Sequence, residues 1–434
     1  MFYIGGLLMS DYRSMELEAL EKEFYKVKEE YEKIKASGLS LDMTRGKPGF
    51  DQLDLSEGLL ENVGGQKGYI AMKGTDCRNY GGLDGLDELK ELFGKVLGIN
   101  WENVICGGNS SLNMMFDTIT QGMVSGFGEG PWMNQGNIKF ICPAPGYDRH
   151  FGICEYYGIE MIPVKYLADG PDMDAVEDLV KDPAVKGMWC VPKYSNPTGL
   201  TYSDETVRRI AALKPAAKDF RVMWDNAYII HDLYDNGDKL LGIYEECKKN
   251  GNEDLVIMFT STSKISFPGA GIAVEAASDN NLRMLKSRMT VQTIGPNKLN
   301  QLCHARMFPS VDALLRHMKL HADVLRPKFE ACLESFEAEL SGKGIAEWTK
   351  PLGGYFISMM VLPGCAKRVG ELCKEAGLAI TKPGATYPYG RDPEDSNIRI
   401  APSYPSVADI KKAADVLSVA VKYAALEKLI SDKN

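Results

Sequence analysis

Residues 13–37 carry the clearest periodic pattern in the chain. Leu17, Leu20, Phe24, Val27, Tyr31 and Ile34 recur at spacings of three and four, with charges elsewhere. That predicts an amphipathic helix, stopped by Gly38. It covers only about three heptads, so it predicts a helix packed on the body or on a partner subunit, not a free coiled coil. Beyond residue 100 the pattern changes to short apolar runs: Val104–Cys106, Lys139–Cys142, Glu160–Val164, Gly187–Val191, Arg221–Trp224, Leu255–Phe259 and Gly271–Val274. Several are followed by turn residues and then helical periodicity, as after Asp172 and Ser203. Repeated strand-then-helix with apolar strands predicts an α/β fold, a mostly parallel sheet covered by helices on both faces. Residues 310–345 predict a long helix. Residues 345–434, with strands at Gly353–Val361 and Asn397–Ile400, predict a smaller α+β domain.

Bulk properties narrow the partners. A chain of 434 residues exceeds the roughly 250–300 at which one core stops growing, so two domains are expected. A formal charge of -9, with no basic stripe, argues against nucleic acid. The 10 cysteines form no C-x-x-C pair and several lie in apolar runs, which suits reduced thiols in a cytoplasmic protein. Met1–Met9 is apolar but short, lacks a basic flank, and is not read as a signal peptide; Met9 is an alternative start. No apolar run is long enough to span a membrane.

In a covered parallel sheet, ligands sit beyond the carboxyl ends of the strands. The polar residues that follow the apolar runs are therefore the candidates for chemistry. Lys264 lies among Ser261, Thr262, Ser263 and Ser266 just after Leu255–Phe259. A lysine there suits a Schiff base to an aldehyde cofactor, with the serines near its phosphate; a solvated loop lysine would look the same. Asp225 follows Trp224 and needs a cationic or hydrogen-bonding partner, such as a protonated ring nitrogen, unless it merely caps the next turn. Asn196 and Tyr228 offer donors to a phenolate oxygen. Gly107–Ser111 opens a helix, where backbone N–H groups suit a phosphate. Tyr147 can lie on a ring or simply pack. Arg399, between two isoleucines, is a candidate carboxylate clamp or an edge-strand arginine. His317 and His321 lie four apart but lack an adjacent Glu, so no metal site is read there.

In order, the glycine turn, the aromatic, Asn196-Pro-Thr-Gly199, Asp225-Asn-Ala-Tyr228, Ser261-Thr-Ser-Lys264 and the late Arg399 resemble the fold-type I pyridoxal-phosphate enzymes, specifically the class I aminotransferases. The resemblance covers about residues 40–425. Asn79–Leu89 resembles the family segment whose tyrosine reaches the partner subunit's phosphate, and Thr44–Pro48 its pocket loop. The resemblance implies that Lys264 bonds the cofactor and shuttles the proton, and that Asp225 pairs with the pyridinium. It implies that Asn196 and Tyr228 bind the ring oxygen and that Tyr147 stacks on the ring. Gly108, Asn109, Ser110, Ser261 and Ser263 would bind phosphate, with Tyr80 from the other subunit of a homodimer. Arg399 would grip the α-carboxylate and Gly46 would close against it, with Arg45, Lys47 and Arg288 as candidates for a distal carboxylate. The implied domains are 1–50, an N-terminal helix and pocket loop packing with the small domain; 51–320, the large cofactor-binding domain; and 321–434, the small domain.

One position departs from the family pattern. Gly271 stands where an arginine usually binds the phosphate, so Arg78 or Lys73 across a dimer interface becomes a candidate replacement. The sequence is similar to an outlying bacterial aspartate aminotransferase subgroup with an Arg-Gly-Lys-Pro loop. That implies amino transfer from aspartate to 2-oxoglutarate, by a ping-pong route. The same cofactor residues also suit a β-lyase or decarboxylase, or another amino-acid specificity. A binding module that keeps the pocket is a third reading, which the intact Lys264, Asp225 and Arg399 oppose.

Overall fold

The computed structural model describes residues 11–434. The reading of Met1–Met9 lies outside the described residues. An eight-stranded sheet has the order Val104–Cys106, Ala273–Ala277, Val256–Ser261, Arg221–Asp225, Val185–Cys190, Lys139–Ala144, Glu160–Leu167 and Gly170–Pro171. The five long central strands pair in parallel. Ala273–Ala277 runs antiparallel to both of its neighbours. The strands from Val185 to Ala277 are buried along their whole length, as expected for a sheet covered on both faces. The α/β class read from the sequence holds.

A smaller antiparallel sheet joins Ala346–Trp348, Ile357–Val361 and Asn397–Ile400. Its strand starts at Ile357, later than the Gly353 the sequence suggested. Gly354 has φ +81°, a left-handed backbone that ends the extended run. The amphipathic helix is Leu17–Ala36, after a short 3-10 turn at Tyr12–Ser14. Leu20, Val27 and Tyr31 bury against one core with Val416, Leu417 and Ala420 of the last helix, Val407–Lys433. Gly38 has φ +66° past its end, the left-handed stop that glycine adopts without strain. The chain then forms Leu41–Met43, which pairs in parallel with Leu378–Ile380. The N-terminal pocket loop is thereby tied to the C-terminal part. The helix Val311–Leu340 is continuous across residue 320.

Among the described residues no helix is long and apolar enough to cross a membrane, and no group of His, Cys, Asp or Glu is arranged to hold a metal ion.

Candidate active site

A cavity of about 460 Å³ opens at the carboxyl ends of the parallel strands. It brings together Lys264, Asp225, Tyr228, Asn196, Tyr147, Ser110, Ser261, Ser263, Arg399, Arg45, Gly46 and Lys47, residues separated by up to 354 positions. A larger groove of about 780 Å³, lined by Asn100, Arg221 and Asp254, lies where strands Arg221–Asp225 and Val256–Ser261 begin, away from these groups.

Asp225 is the last residue of its strand and is 3% exposed. Its Oδ2 lies 3.0 Å from His150 Nε2. A carboxylate only accepts, so His150 donates. Oδ1 is buried without a partner. A buried carboxylate oxygen without a donor is costly, so Asp225 fits a ligand that brings an N–H. The His150 ring lies flat on Trp189, with centroids 4.2 Å apart at 7°. Tyr147, which N-caps the helix Asp148–Tyr157, meets His150 edge-on at 5.0 Å. Burial, and then the Asp225 charge, pushes the Tyr147 phenol up to about 12.

Lys264 sits in the turn after strand Val256–Ser261 and reaches the cavity. Its Nζ lies 5.0 Å from the Tyr228 ring centroid and 5.8 Å from that of Tyr355. Protein surrounds the ammonium, and this burial pushes its pKa down, against the pull of the Asp225 charge. A lysine held nearer neutrality is a better nucleophile and proton carrier. Tyr228 is buried, and burial raises its phenol well above the usual range, so it stays a donor.

Arg399 comes from strand Asn397–Ile400 and is nearly buried. Its Nη1 donates to Asp148 Oδ1 at 3.0 Å and Asn196 Oδ1 at 3.3 Å, and its Nε to Thr381 Oγ1 at 3.2 Å. The guanidinium rests 5.1 Å from the Phe356 ring centroid. A Cβ on Gly46 would come 2.5 Å from that ring, so only glycine lets the pocket loop lie there. Lys47 Nζ stands 3.8 Å over the Tyr404 ring.

Ser110 N-caps the helix Ser111–Val124, and both serines line the cavity beside Ser261 and Ser263. Ser261 and Ser263 hydroxyls are 3.1 Å apart. Gly108 and Asn109 do not line the cavity; they form the turn beneath it, where the Gly108 carbonyl accepts from the Ala273 amide. Gly271 packs against the same turn: a Cβ there would lie 2.9 Å from the Asn109 carbonyl. That contact is the physical reason no arginine side chain starts from this position. Arg78 pairs with Asp76, and Lys73 with Asp87 and Glu91, all within the chain. Tyr80 is 83% exposed and lies outside the cavity. Arg288 does not line this chain's cavity either; it faces Asp117 at 3.5 Å and bonds Gln292.

The sequence reading missed His150, Trp189, Asp148, Arg149, Phe356, Thr381 and Lys382, which complete or support the site. His150 lies three residues after Tyr147, on the same side of a helix that starts at a strand end. That spacing was the available signal. Arg149 and Lys382 carried none, because they stand on segments brought together only by the fold.

The family model for aspartate amino-transferase matches residues 15–433. The chain is 47% identical to a putative aminotransferase of Mycolicibacterium smegmatis over 93% of this chain and 95% of that one. It is 46% identical to an aspartate aminotransferase of Corynebacterium glutamicum over 92% of this chain and 93% of that one. A crystal structure of an aspartate transaminase from Corynebacterium glutamicum superposes with a TM-score of 0.94 at 44% identity, covering 97% of this chain and all of that one. With its strand-end lysine, its aspartate and its strand arginine meeting in one cavity, the chain belongs to the aspartate aminotransferase family of fold-type I, class I aminotransferases.

Proposed function

We propose that this aminotransferase uses pyridoxal 5'-phosphate to move the amino group of aspartate to 2-oxoglutarate, in two half-reactions at the one site. The observation that carries the dicarboxylate reading is charge. Arg45, Lys47, Arg149, Lys264, Lys382 and Arg399 line the cavity against two carboxylates, Asp148 and Asp225. That excess suits a cofactor phosphate of charge about -1.5 to -2 together with a substrate carrying two carboxylates.

The residues fit the cofactor. The unpartnered Oδ1 of Asp225 would accept from its ring nitrogen, with His150 holding the other oxygen. Asn196 and Tyr228 would bind its ring oxygen, and Tyr147 would cover its ring. Ser110, Ser111, Ser261 and Ser263 would hold its phosphate at a helix start. When bound, the cofactor supplies an electron sink for the pair left as the substrate Cα–H bond breaks. Lys264 Nζ takes that proton as base and returns it as acid, and its lowered pKa suits both directions. Arg399 would orient the α-carboxylate, its guanidinium held in place by Asp148, Asn196 and Thr381. Lys47, Arg45, Arg149 and Lys382 stand at the cavity wall for the distal carboxylate.

A homodimer goes with this reading. Tyr80, Val291 and Ile294 are exposed, and Tyr80 gains a phosphate role only from a second subunit. The 10 free, buried cysteines support a cytoplasmic reading. The division into 1–50, 51–320 and 321–434 is part of the same proposal.

The test is a half-reaction screen of the twenty amino acids on the loaded enzyme, read by loss of the visible absorbance of lysine-bound cofactor. Aspartate and glutamate are expected to discharge it. If neither does, the substrate assignment is wrong. Pyruvate or ammonia released without an acceptor would move the reading to a lyase.

A further inference from the structure

We propose that the His317–His321 pair is a positioning device for Lys264, fixing the main chain of the lysine turn from the side opposite the cavity. The inference rests on Lys264 being the cofactor lysine. The turn Thr262–Ser266 carries Lys264, and side chains from other elements hold its polar groups. His317 Nε2 lies 2.7 Å from the Ile265 carbonyl, which only accepts, so this nitrogen carries the proton. His321 Nε2 is 3.1 Å from that of His317. One ring therefore donates to the carbonyl one residue beyond the lysine, and the other lies directly against it. Both sit on the helix Val311–Leu340, four residues apart, so one helix face sets their spacing.

The acceptor side of His321 is fixed as well. The Gly49 amide donates to Gln52 Oε1 at 3.3 Å, which turns the Gln52 amide nitrogen toward His321 Nδ1 at 3.1 Å and the Tyr355 hydroxyl at 2.8 Å. Tyr355 in turn has the Lys264 carbonyl at 3.5 Å, and its ring faces the lysine ammonium. This line of buried polar contacts thus starts and ends on adjacent carbonyls, Lys264 and Ile265. Gln52, His317 and His321 are all buried, and Gln52 and His321 have no role in the cavity itself. The charged groups facing this cluster are Asp51, which pairs with Lys328, and Lys264. The buried His231, packed edge-on to Tyr355, is a further titratable neighbour.

A third histidine holds the turn from another helix. His304 Nδ1 donates to the Asn300 carbonyl, which leaves Nε2 to accept from the Ser266 hydroxyl at 2.7 Å. Four of the five histidines in the chain thus stand around the lysine turn, and the fifth holds Asp225. None of them lines the cavity. Their work is to hold the turn, so that Lys264 Nζ meets the reacting carbon at one distance and angle.

His317→Leu removes the donor at similar size; His317→Gln keeps an amide N–H near the Nε2 position. Both holoenzymes are compared with wild type by three measurements: the pH midpoint of the visible lysine-bound band, kcat and KM for aspartate, and the thermal midpoint. In the Leu variant, kcat falls about tenfold, KM barely moves and the band's midpoint shifts, because the lysine is displaced. The Gln variant restores most of the kcat and the midpoint. The proposal is overturned if the Leu variant matches wild type in band and kcat. It is also overturned if Gln and Leu fall equally, which would mean packing alone. If the Leu variant does not fold, His317→Asn, polar but too short to reach Ile265, carries the same expectations. A wild-type enzyme with no lysine-bound band would sink the Lys264 assignment and the positioning role with it, whereas a wild-type band that the Leu variant leaves unmoved overturns the positioning role alone.

Discussion

His150 donates to one oxygen of Asp225 and leaves the other bare. The 3.0 Å bond and the flat stack on Trp189 fix the plane of the imidazole, and with it the rotation of the carboxylate. Oδ1 then keeps one direction free for a ring N–H. Asp225 by itself could turn to bond either ligand or protein; His150 removes that choice.

His150→Phe keeps a flat ring on Trp189 but loses the donor. A hydrogen bond to a charged group contributes about 1.5–3 kcal/mol, so kcat is expected to fall by roughly ten- to a hundredfold. The KM for aspartate should change little, since the bond faces the cofactor. A double variant with Asp225→Asn should cost less than the two single losses summed, because both act through the same carboxylate. Additive losses would break the link between the two residues.

Arg399→Lys tests the clamp. Arginine presents two donors to one carboxylate and its Nε to Thr381, while lysine offers a point charge. The KM should rise for every amino acid, by about ten- to a hundredfold. An unchanged KM for alanine and aspartate alike would remove Arg399 from the substrate site.

Lys382→Ala asks a narrower question. Lys382 lines the cavity from the exposed side, next to Thr381, and no carboxylate of the described residues is paired with it. An exposed ion pair contributes up to about 1 kcal/mol, so kcat/KM for aspartate should fall about fivefold. With alanine, which has no distal carboxylate, it should not fall. Equal losses on both substrates would exclude Lys382 from distal recognition.

Much of this site was legible because strand ends announce themselves. Apolar runs such as Arg221–Trp224 and Leu255–Phe259 stop at polar residues, and in a parallel sheet those residues share one edge. Asp225 and Lys264 were found in that way. What stayed hidden depended on partners far along the chain. His150 meets Asp225 across 75 residues, and Arg399 meets Asp148 across 251. Strand direction was hidden too: Ala273–Ala277 is as fully buried as the parallel strands of the sheet, and burial on both faces does not depend on direction. The charge of Arg288 was visible, but its partner Asp117, on another helix, was not. Gly271 was read as a missing arginine, and the structure supplies the reason in the Asn109 carbonyl beside it. Its φ of -70° would suit any residue, so lack of space is what excludes a side chain.

The buried histidines also set how stability varies with pH. Burial pushes His231, His304 and His317 down, and burial followed by the His317 charge takes His321 down to about 4. In the unfolded chain each titrates near 6.5. Below that pH the unfolded state binds protons that the folded state refuses, so stability is full above about pH 6.5 and falls as the pH drops. Each histidine that stays neutral contributes a slope of about 1.4 kcal/mol per pH unit. Glu275 works in the opposite sense. Its burial raises its pKa to about 7, so between about 4.5 and 7 the folded state holds a proton that the unfolded state has released. That group favours the folded state as pH falls through this window and cancels about one histidine. A net loss of stability is therefore expected as the pH falls from 6.5 to 4.5. Glu275→Gln removes the opposing group and should steepen the loss between pH 6.5 and 4.5 by about 1.4 kcal/mol per unit. Urea unfolding at pH 7, 6, 5 and 4 for both proteins reads this directly. A flat wild-type profile down to pH 5, or a variant with the same slope as wild type, would show that the titration is carried by other groups.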